Sequence, residues 1–486
     1  MIRQLILIFV VVVLGACSVG KPYQRPNVVV PESFRGAEAS LAQAMTLPTL
    51  TWWDLYQDSV LQALMNKALT QNYDIKIALA RVDQYRALAG VSNLNSIPLI
   101  SAGGVATRNR YSSVNATPLP SSIPAINQAF TPGISASYEV DFWHRISSLQ
   151  DSARAQLLSS EYAQEVARIA VLSNVATSYF NLCALDAQLA VTQKTLASRE
   201  SFVQLTRAQL NRGVVSELDF NRAEASLALT KASIEDLNRQ IIQAENLLQV
   251  LLGENPGPIL RPSNKNTVAG TAILPQPPAV PIGLPSSLLE RRPDLRLAES
   301  NLVSSNAQLR AVKASLFPIV SLTGSFGSSS SSLVSLFTGP ARVWSFGFNL
   351  LQPVIDPSRN IFQIKDYTAV EQQVLLAYQQ AVIQAFREVA DAIAARTSYS
   401  QSLQIQADQV KSLEVVRSQV VQRYEAGYSS YFEVIDADNA LYAAQLSQID
   451  AHRNTLNALT QLYKALGGGW DNKVQVEKVK VGVQKP

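Results

Sequence analysis

The sequence predicts a mainly α chain that also contributes four strands to a membrane β-barrel, its elements written as two tandem copies of one unit. Three observations carry that prediction: prolines and glycines are missing from two long stretches, residue identities recur at near-constant offsets, and four short segments alternate apolar with polar residues. Composition frames the reading. Charged residues are 16% of 486, against roughly 25% in an ordinary soluble domain. Hydrophobic residues reach 47%, yet the only long apolar run is the ten residues Leu5 to Leu14, and a membrane-spanning helix needs about 20. A polytopic helical membrane protein is thereby excluded. The net charge of +4 supplies neither a basic patch nor an acidic tail, so nucleic acid is not an expected partner. Length alone allows roughly two to four domains.

The chain opens with Arg3, the apolar run to Leu14 and then Gly15 and Ala16, the layout of a secretory signal peptide over 1–16. Its end, Leu14-Gly15-Ala16-Cys17, resembles a bacterial lipobox, in which the cysteine is lipidated and becomes the new N-terminus. A plain signal peptide with an incidental cysteine is the alternative. Ser18 after the cysteine resembles lipoproteins forwarded to the outer membrane. With Cys17 lipidated, Cys183 has no intrachain partner and is expected to be a small buried apolar residue.

No proline occurs from His144 to Asn255, where only Gly213 and Gly253 interrupt, and none from Ser358 to Leu466, where only Gly427 does. Each stretch reads as a long helix, a break and a shorter helix. Lengths of roughly 100 Å, for His144–Arg212 and Ser358–Ala426, far exceed the average helix and imply coiled-coil packing. Leu196, Val203 and Leu210, then Leu227, Leu237, Leu248, Leu251 and Leu252, supply the apolar recurrence. Leu69, Asp74, Ala78, Ala87, Pro98, Ser101 and Gly104 recur 220 residues later, and Val175, Ala176, Gly213, Ala223, Leu227, Leu248, Leu252 and Gly253 recur 214 residues later. A tandem duplication follows, with six extra residues in the first copy placed in the loop Tyr111 to Pro132. The expected layout is an arm over 17–58, a first copy over 59–254 with a hairpin at about 99–142, a Pro-rich linker over 255–284, a second copy over 285–470 with a hairpin at about 318–352, and a tail over 471–486.

Ile134, Ala136, Tyr138, Val140 and Phe142 alternate with Ser135, Ser137, Glu139 and Asp141; Val320, Leu322 and Phe326 alternate with Ser321, Thr323 and Ser325; Trp344, Phe346, Phe348 and Leu350 alternate with Ser345, Gly347 and Asn349. Leu99 to Arg110 is a weaker fourth segment. Such strands mark a transmembrane barrel or a soluble half-buried sheet, and the lipoprotein signal favours the barrel. Four strands cannot close, and an open edge cannot sit in lipid. Two chains would give a barrel filled by side chains, whereas three give twelve strands with room for a pore, so a homotrimer is the smallest conducting assembly. Val214–Leu252 and Pro285–Phe317 laid end to end match one long helix, so each pair of short helices can run beside a long one. The result is a helical tube continuing the barrel, with Gly213 and Gly427 at the far tips.

At those tips Gly427 stops a helix, Ser429 or Ser430 can cap the next, and Phe432 and Asp436 lie one turn apart on one face. Catalysis finds no support: His144 and His452 are the only histidines, and no phosphate-binding glycine loop or carboxylate pair stands out. An enzyme is not expected, nor a cofactor beyond the lipid on Cys17. His144 beside Trp143 marks the sheet-to-helix junction, where aromatic residues favour the membrane interface. Met45 and Met65 with two separated histidines make no metal cluster.

Four further segments carry a family resemblance: Glu290-Arg291-Arg292-Pro293-Asp294-Leu295, then Phe317-Pro318 leading into Ser321-Leu322-Thr323, then Arg423-Tyr424-Glu425-Ala426-Gly427, and Leu462-Tyr463-Lys464-Ala465-Leu466-Gly467-Gly468-Gly469-Trp470. With the lipobox, the chain resembles the TolC-like outer-membrane factors, in the OprM-like lipoprotein branch of tripartite multidrug (RND) efflux systems. The resemblance implies a trimeric twelve-stranded barrel in the outer membrane, a periplasmic α-helical barrel, and an equatorial region from the arm, linker and C-terminus. It implies an exit duct served by an inner-membrane RND transporter and a periplasmic adaptor. It also implies a periplasmic gate with an aspartate ring at Asp436 and an apolar ring at Phe432, where members usually carry leucine, and with Arg423 and Tyr424 linking helices. Gly213, Leu218 and Asp219 are the first-copy counterparts, and the adaptor is expected near both turns, at these residues and Gly427. The alternative for the gate residues is a solvated helix end. Type I protein secretion and copper or silver efflux are the alternatives within transport, and a periplasmic coiled-coil scaffold lipoprotein is the alternative outside it.

Overall fold

The computed structural model describes residues 19–31, 33–35, 52, 56, 58–112, 124–261, 274–275, 288–352 and 357–468. Cys17, the signal peptide, Met45, Gly469, Trp470, the C-terminal tail and most of the linker lie outside the described residues. Helices α1 (Ser59–Gln71) and α2 (Tyr73–Leu94) lead into β1 (Leu99–Arg110) and β2 (Ile126–Val140), followed by α3 (Arg145–Asn211) and α4 (Glu217–Leu251). The order then repeats: α5 (Leu288–Arg291) and α6 (Pro293–Ala314), β3 (Ile319–Ser328) and β4 (Arg342–Leu351), α7 (Pro357–Glu425) and α8 (Tyr431–Ala465). α3 and α7 contain 67 and 69 residues, about 100 Å each at 1.5 Å per residue. No helix among the described residues is long and apolar enough to cross a membrane.

The chain divides into two compact units, one made of residues 1–27, 81–160 and 297–378, the other of 28–80, 161–296 and 379–486. The first holds a four-stranded antiparallel sheet of order β1-β2-β3-β4, so β1 and β4 are its edges. Its register puts Ile100, Ala136, Gly324 and Phe346 on one face and Ser101, Ser135, Ser325 and Ser345 on the other. The apolar face is open to its surroundings, with Phe326, Trp344, Phe346 and Phe348 all more than 60% exposed. On the polar face hydroxyls pair across strands, Ser325 with Ser345 at 2.7 Å and Ser101 with Ser135 at 3.2 Å.

β2 begins at Ile126, six residues before the Pro132 at which the loop was expected to end. Pro132 sits opposite Gly104 inside the β1–β2 ladder. Its missing N–H falls where the β2–β3 ladder is interrupted, between the Gly133–Gly327 pair and the isolated Phe130–Ser330 bridge. β2 also stops at Val140 rather than Phe142, because the Asp141 carboxylate accepts the N–H groups of Ile146 and Ser147 and starts α3. Trp143 and His144 occupy this junction: the indole stacks on Phe317 with centroids 4.7 Å apart and donates to the Pro318 carbonyl, and His144 takes φ +59°.

The second unit has an apolar core from α1, α3, α4, α7 and α8, including Leu61, Met65, Leu172, Val175, Phe180, Leu248, Val389 and Leu462. Trp52 meets Tyr463 edge-on at 4.7 Å, and Tyr56 shares a 2.6 Å hydrogen bond with Thr460. Tyr179 donates to Asp58, whose other oxygen caps α1. Cys183 is buried in this core, and burial pushes its thiol up to about 12.

Two matching joints hold short helices end to end. Asn72, between α1 and α2, donates to the Leu251 carbonyl that ends α4, and Arg292, between α5 and α6, donates to the Ala465 carbonyl that ends α8. These partners stand at the offsets of 220 and 214 noted above. Gly253 and Gly467 follow with φ +75° and +73°, and a Cβ would fall 2.4 Å from the Gln71 carbonyl oxygen or 2.9 Å from that of Arg291. Glycine is required at both for the left-handed turn and for the close approach.

Candidate functional site

The α3–α4 and α7–α8 turns are built alike. Gly213 at φ +72° and Gly427 at φ +79° end the long helices, and no atom lies within 4 Å of a Cβ built on either. Conformation alone demands glycine here. Val214 N–H returns to the Gln209 carbonyl and Tyr428 N–H to that of Arg423, the six-residue closure of a Schellman motif. Ser216 and Ser430 are the N-caps of α4 and α8. Asp219 N–H donates to the Ser216 hydroxyl, which donates to the Asp219 carboxylate at 2.7 Å, while Glu433 accepts from the Ser430 N–H.

The two hairpins pack together through Val203, Ala223, Tyr431 and Val434, flanked by Phe202, Phe220 and Tyr424. The Tyr431 ring stands 5.7 Å from both Phe202 and Tyr424, and burial pushes its hydroxyl up to about 12. Tyr424 donates to Gln209 at 2.8 Å and so joins the two hairpins, its own hydroxyl also raised by burial.

The remaining sequence-derived site residues are on the surface of this pair. Phe432 is 54% exposed, and the Arg222 guanidinium lies 5.4 Å from its ring. Arg222 in turn stands 3.9 Å from Asp219, so Asp219, Arg222 and Phe432 form a string from one hairpin to the other. Leu218 is exposed. Asp436, also exposed, lies one turn from Phe432 on α8. Arg423 reaches the Tyr428 carbonyl of its own turn at 3.4 Å.

A neighbouring network escaped sequence reasoning. Arg199, nearly buried, donates to Asp438, Thr230, Asn439 and the Ser226 carbonyl, with its guanidinium 5.7 Å from the Tyr442 ring. Arg417 donates to the other Asp438 oxygen at 3.0 Å and to Ser198 at 2.9 Å. A cleft of about 430 Å³ opens beside it, lined by Ser198, Glu414, Arg417, Asp438 and Tyr442 among others. One signal was available: Thr192, Arg199 and Thr206 recur every seven residues and are all buried, a polar seam beside the Leu196–Val203–Leu210 repeat. No group of three His, Cys, Asp or Glu among the described residues could hold a metal ion.

The family model described as outer membrane efflux protein matches residues 64–254 and 284–468. The chain belongs to that family: it is an outer-membrane efflux channel and not an enzyme. Solvent efflux pump outer membrane protein SrpC of Pseudomonas putida is 33% identical over 471 residues, covering 95% of this chain and 97% of the relative. Cation efflux system protein CusC of Escherichia coli O6:H1 is 30% identical over 463 residues, covering 95% and 97%. The crystal structure of the open state of the Neisseria gonorrhoeae MtrE outer membrane channel superposes with a TM-score of 0.82 at 28% identity, covering 93% of this chain and 98% of that one.

Proposed function

We propose that three copies of this chain form a closed exit duct for small toxic organic compounds. The observation that carries it is the four-stranded sheet with an exposed apolar face and two unpaired edges, β1 and β4. Backbone groups on such edges are satisfied in lipid only by another strand, so β4 of one copy pairs with β1 of the next and twelve strands close the barrel. The tandem copies over 59–254 and 285–470 supply the tube below it, and the matching joints at Asn72 and Arg292 support their common origin. The arm over 17–58, the linker over 255–284 and the C-terminus girdle the tube, and a lipid on Cys17 anchors it. The helical turns point into the periplasm. There Phe432 and Asp436 ring the passage, Tyr424 and Arg423 hold the hairpins, and an adaptor docks near Gly213, Leu218, Asp219 and Gly427 to join an inner-membrane RND transporter.

Purified trimer is expected to migrate anomalously without heating and to show single-channel conductance in planar bilayers. A chain that stays monomeric and non-conducting would sink the duct reading. The name of SrpC favours organic solvents as cargo, and that of CusC favours a second reading, metal cations. A deletion strain complemented with this chain separates them: regained resistance to dyes and antibiotics supports the first, and regained resistance confined to copper or silver supports the second.

A further inference from the structure

Arg108, Arg110 and Arg342 are the only charged residues within the described strands apart from Glu139. All three lie at the sheet end remote from the helices, where β1 ends and β4 begins. The register fixes the face they occupy. Arg342 is two residues from Trp344 on β4, opposite Ser328, and Arg108 and Arg110 share the parity of Ile100 on β1, opposite Gln128 and Ile126. Ile100, Ala136, Gly324 and Phe346 run across one face of the sheet, so all three arginines belong to the apolar face and not to the serine-lined one. Each is exposed.

Nothing acidic answers them. Glu139 has the opposite parity, sits at the helical end of the sheet and is taken by Arg145. The loops between β1 and β2 and between β3 and β4 contain no Asp or Glu in sequence. An arginine facing lipid is tolerated toward the interface and not at mid-bilayer, and Trp344, 77% exposed just inside Arg342, is the residue type that marks that interface. Moreover, Arg108 and Arg110 lie on one edge strand and Arg342 on the other. Closure of the barrel between chains brings them to the same seam.

Resting on the closed-barrel reading above, we propose that these arginines bind the phosphate groups of a phosphorylated glycolipid in the outer leaflet, with Arg342 of one chain and Arg108 and Arg110 of the next completing each site. Guanidinium groups suit this task because they stay charged and grip phosphate with paired N–H donors.

The test titrates detergent-purified full-length trimer with a fluorescent phosphorylated glycolipid, its dephosphorylated form and inorganic phosphate, for the wild type and the Arg108→Gln, Arg110→Gln, Arg342→Gln triple variant. The wild type is expected to prefer the phosphorylated lipid by about tenfold or more, the triple variant to lose that preference while keeping its heat-modifiable trimer, and millimolar inorganic phosphate to displace nothing. Equal preference in an intact triple variant overturns the proposal. Displacement by inorganic phosphate also overturns it, because the site then takes a free anion. A shifted reversal potential of the triple variant in bilayers overturns it too, by placing the arginines in the lumen. A wild type that conducts without discriminating the lipids refutes the arginine site alone, whereas a wild type that does not conduct refutes the duct beneath it.

Discussion

Asp436 and Asp438 are two residues apart on α8 and face different surroundings. Asp436 is exposed at the tip, whereas Asp438 lies between Arg199 and Arg417. Asp436→Ala should therefore cost within about 0.5 kcal/mol of stability, yet raise ion conductance of the trimer if it rings the passage. Unchanged conductance counts against the gate. Asp438→Ala strands a nearly buried guanidinium and should cost about 3 kcal/mol, read as faster hydrogen exchange around residues 195–235 and 415–445. His452 makes stability depend on pH. Burial pushes its imidazole below the ordinary value, against a hydrogen bond in which Nε2 donates to the Pro275 carbonyl. The unfolded chain thus takes up the proton first, so stability falls as pH drops below the ordinary histidine range, by at most about 1.4 kcal/mol per pH unit, until the folded imidazole also protonates. Thermal melts at neutral and mildly acidic pH should show that loss, and His452→Gln should flatten it.

At the level of elements, the breaks were legible because glycine and proline act locally. Gly213 and Gly427 ended the long helices where their absence elsewhere implied. The loop placed over Tyr111 to Pro132 is shorter for the opposite reason: its last residues are drawn into a ladder with β1, where Pro132 meets Gly104. The Arg199–Asp438 pair spans 239 residues, and no local pattern announces which aspartate on α8 will meet an arginine on α3. The glycines themselves are not equivalent. Gly213→Ala meets open space and should cost about 1 kcal/mol, the left-handed strain alone. Gly253→Ala drives a Cβ into the Gln71 carbonyl and should cost about 2 kcal/mol more, a difference visible in melting temperature.

For the whole molecule, the sheet edge is the decisive feature. The Tyr111 N–H donates to the Ala125 carbonyl, and by antiparallel alternation the odd residues of β1 bond to β2 while even ones such as Ala106 face the open edge. Ala106→Pro removes one outward donor and leaves the β1–β2 ladder intact. The variant should keep its helical circular dichroism and lose the heat-modifiable trimer. A trimer that assembles unchanged would show that β1 does not close the barrel. Element order and strand pattern were legible in one chain because both are written along it. Closure was inferred only from what four strands lack.

The two joints between short helices stand at corresponding places and differ in chemistry. One is a neutral amide at Asn72; the other is the Arg292 guanidinium, itself held by Asp294 and Glu388. The Arg292 joint therefore depends on charge, and the Asn72 joint does not. An ionic trigger that loosened one of them would act on the Arg292 joint alone, so the three-chain duct proposed above would answer it with threefold and not sixfold symmetry.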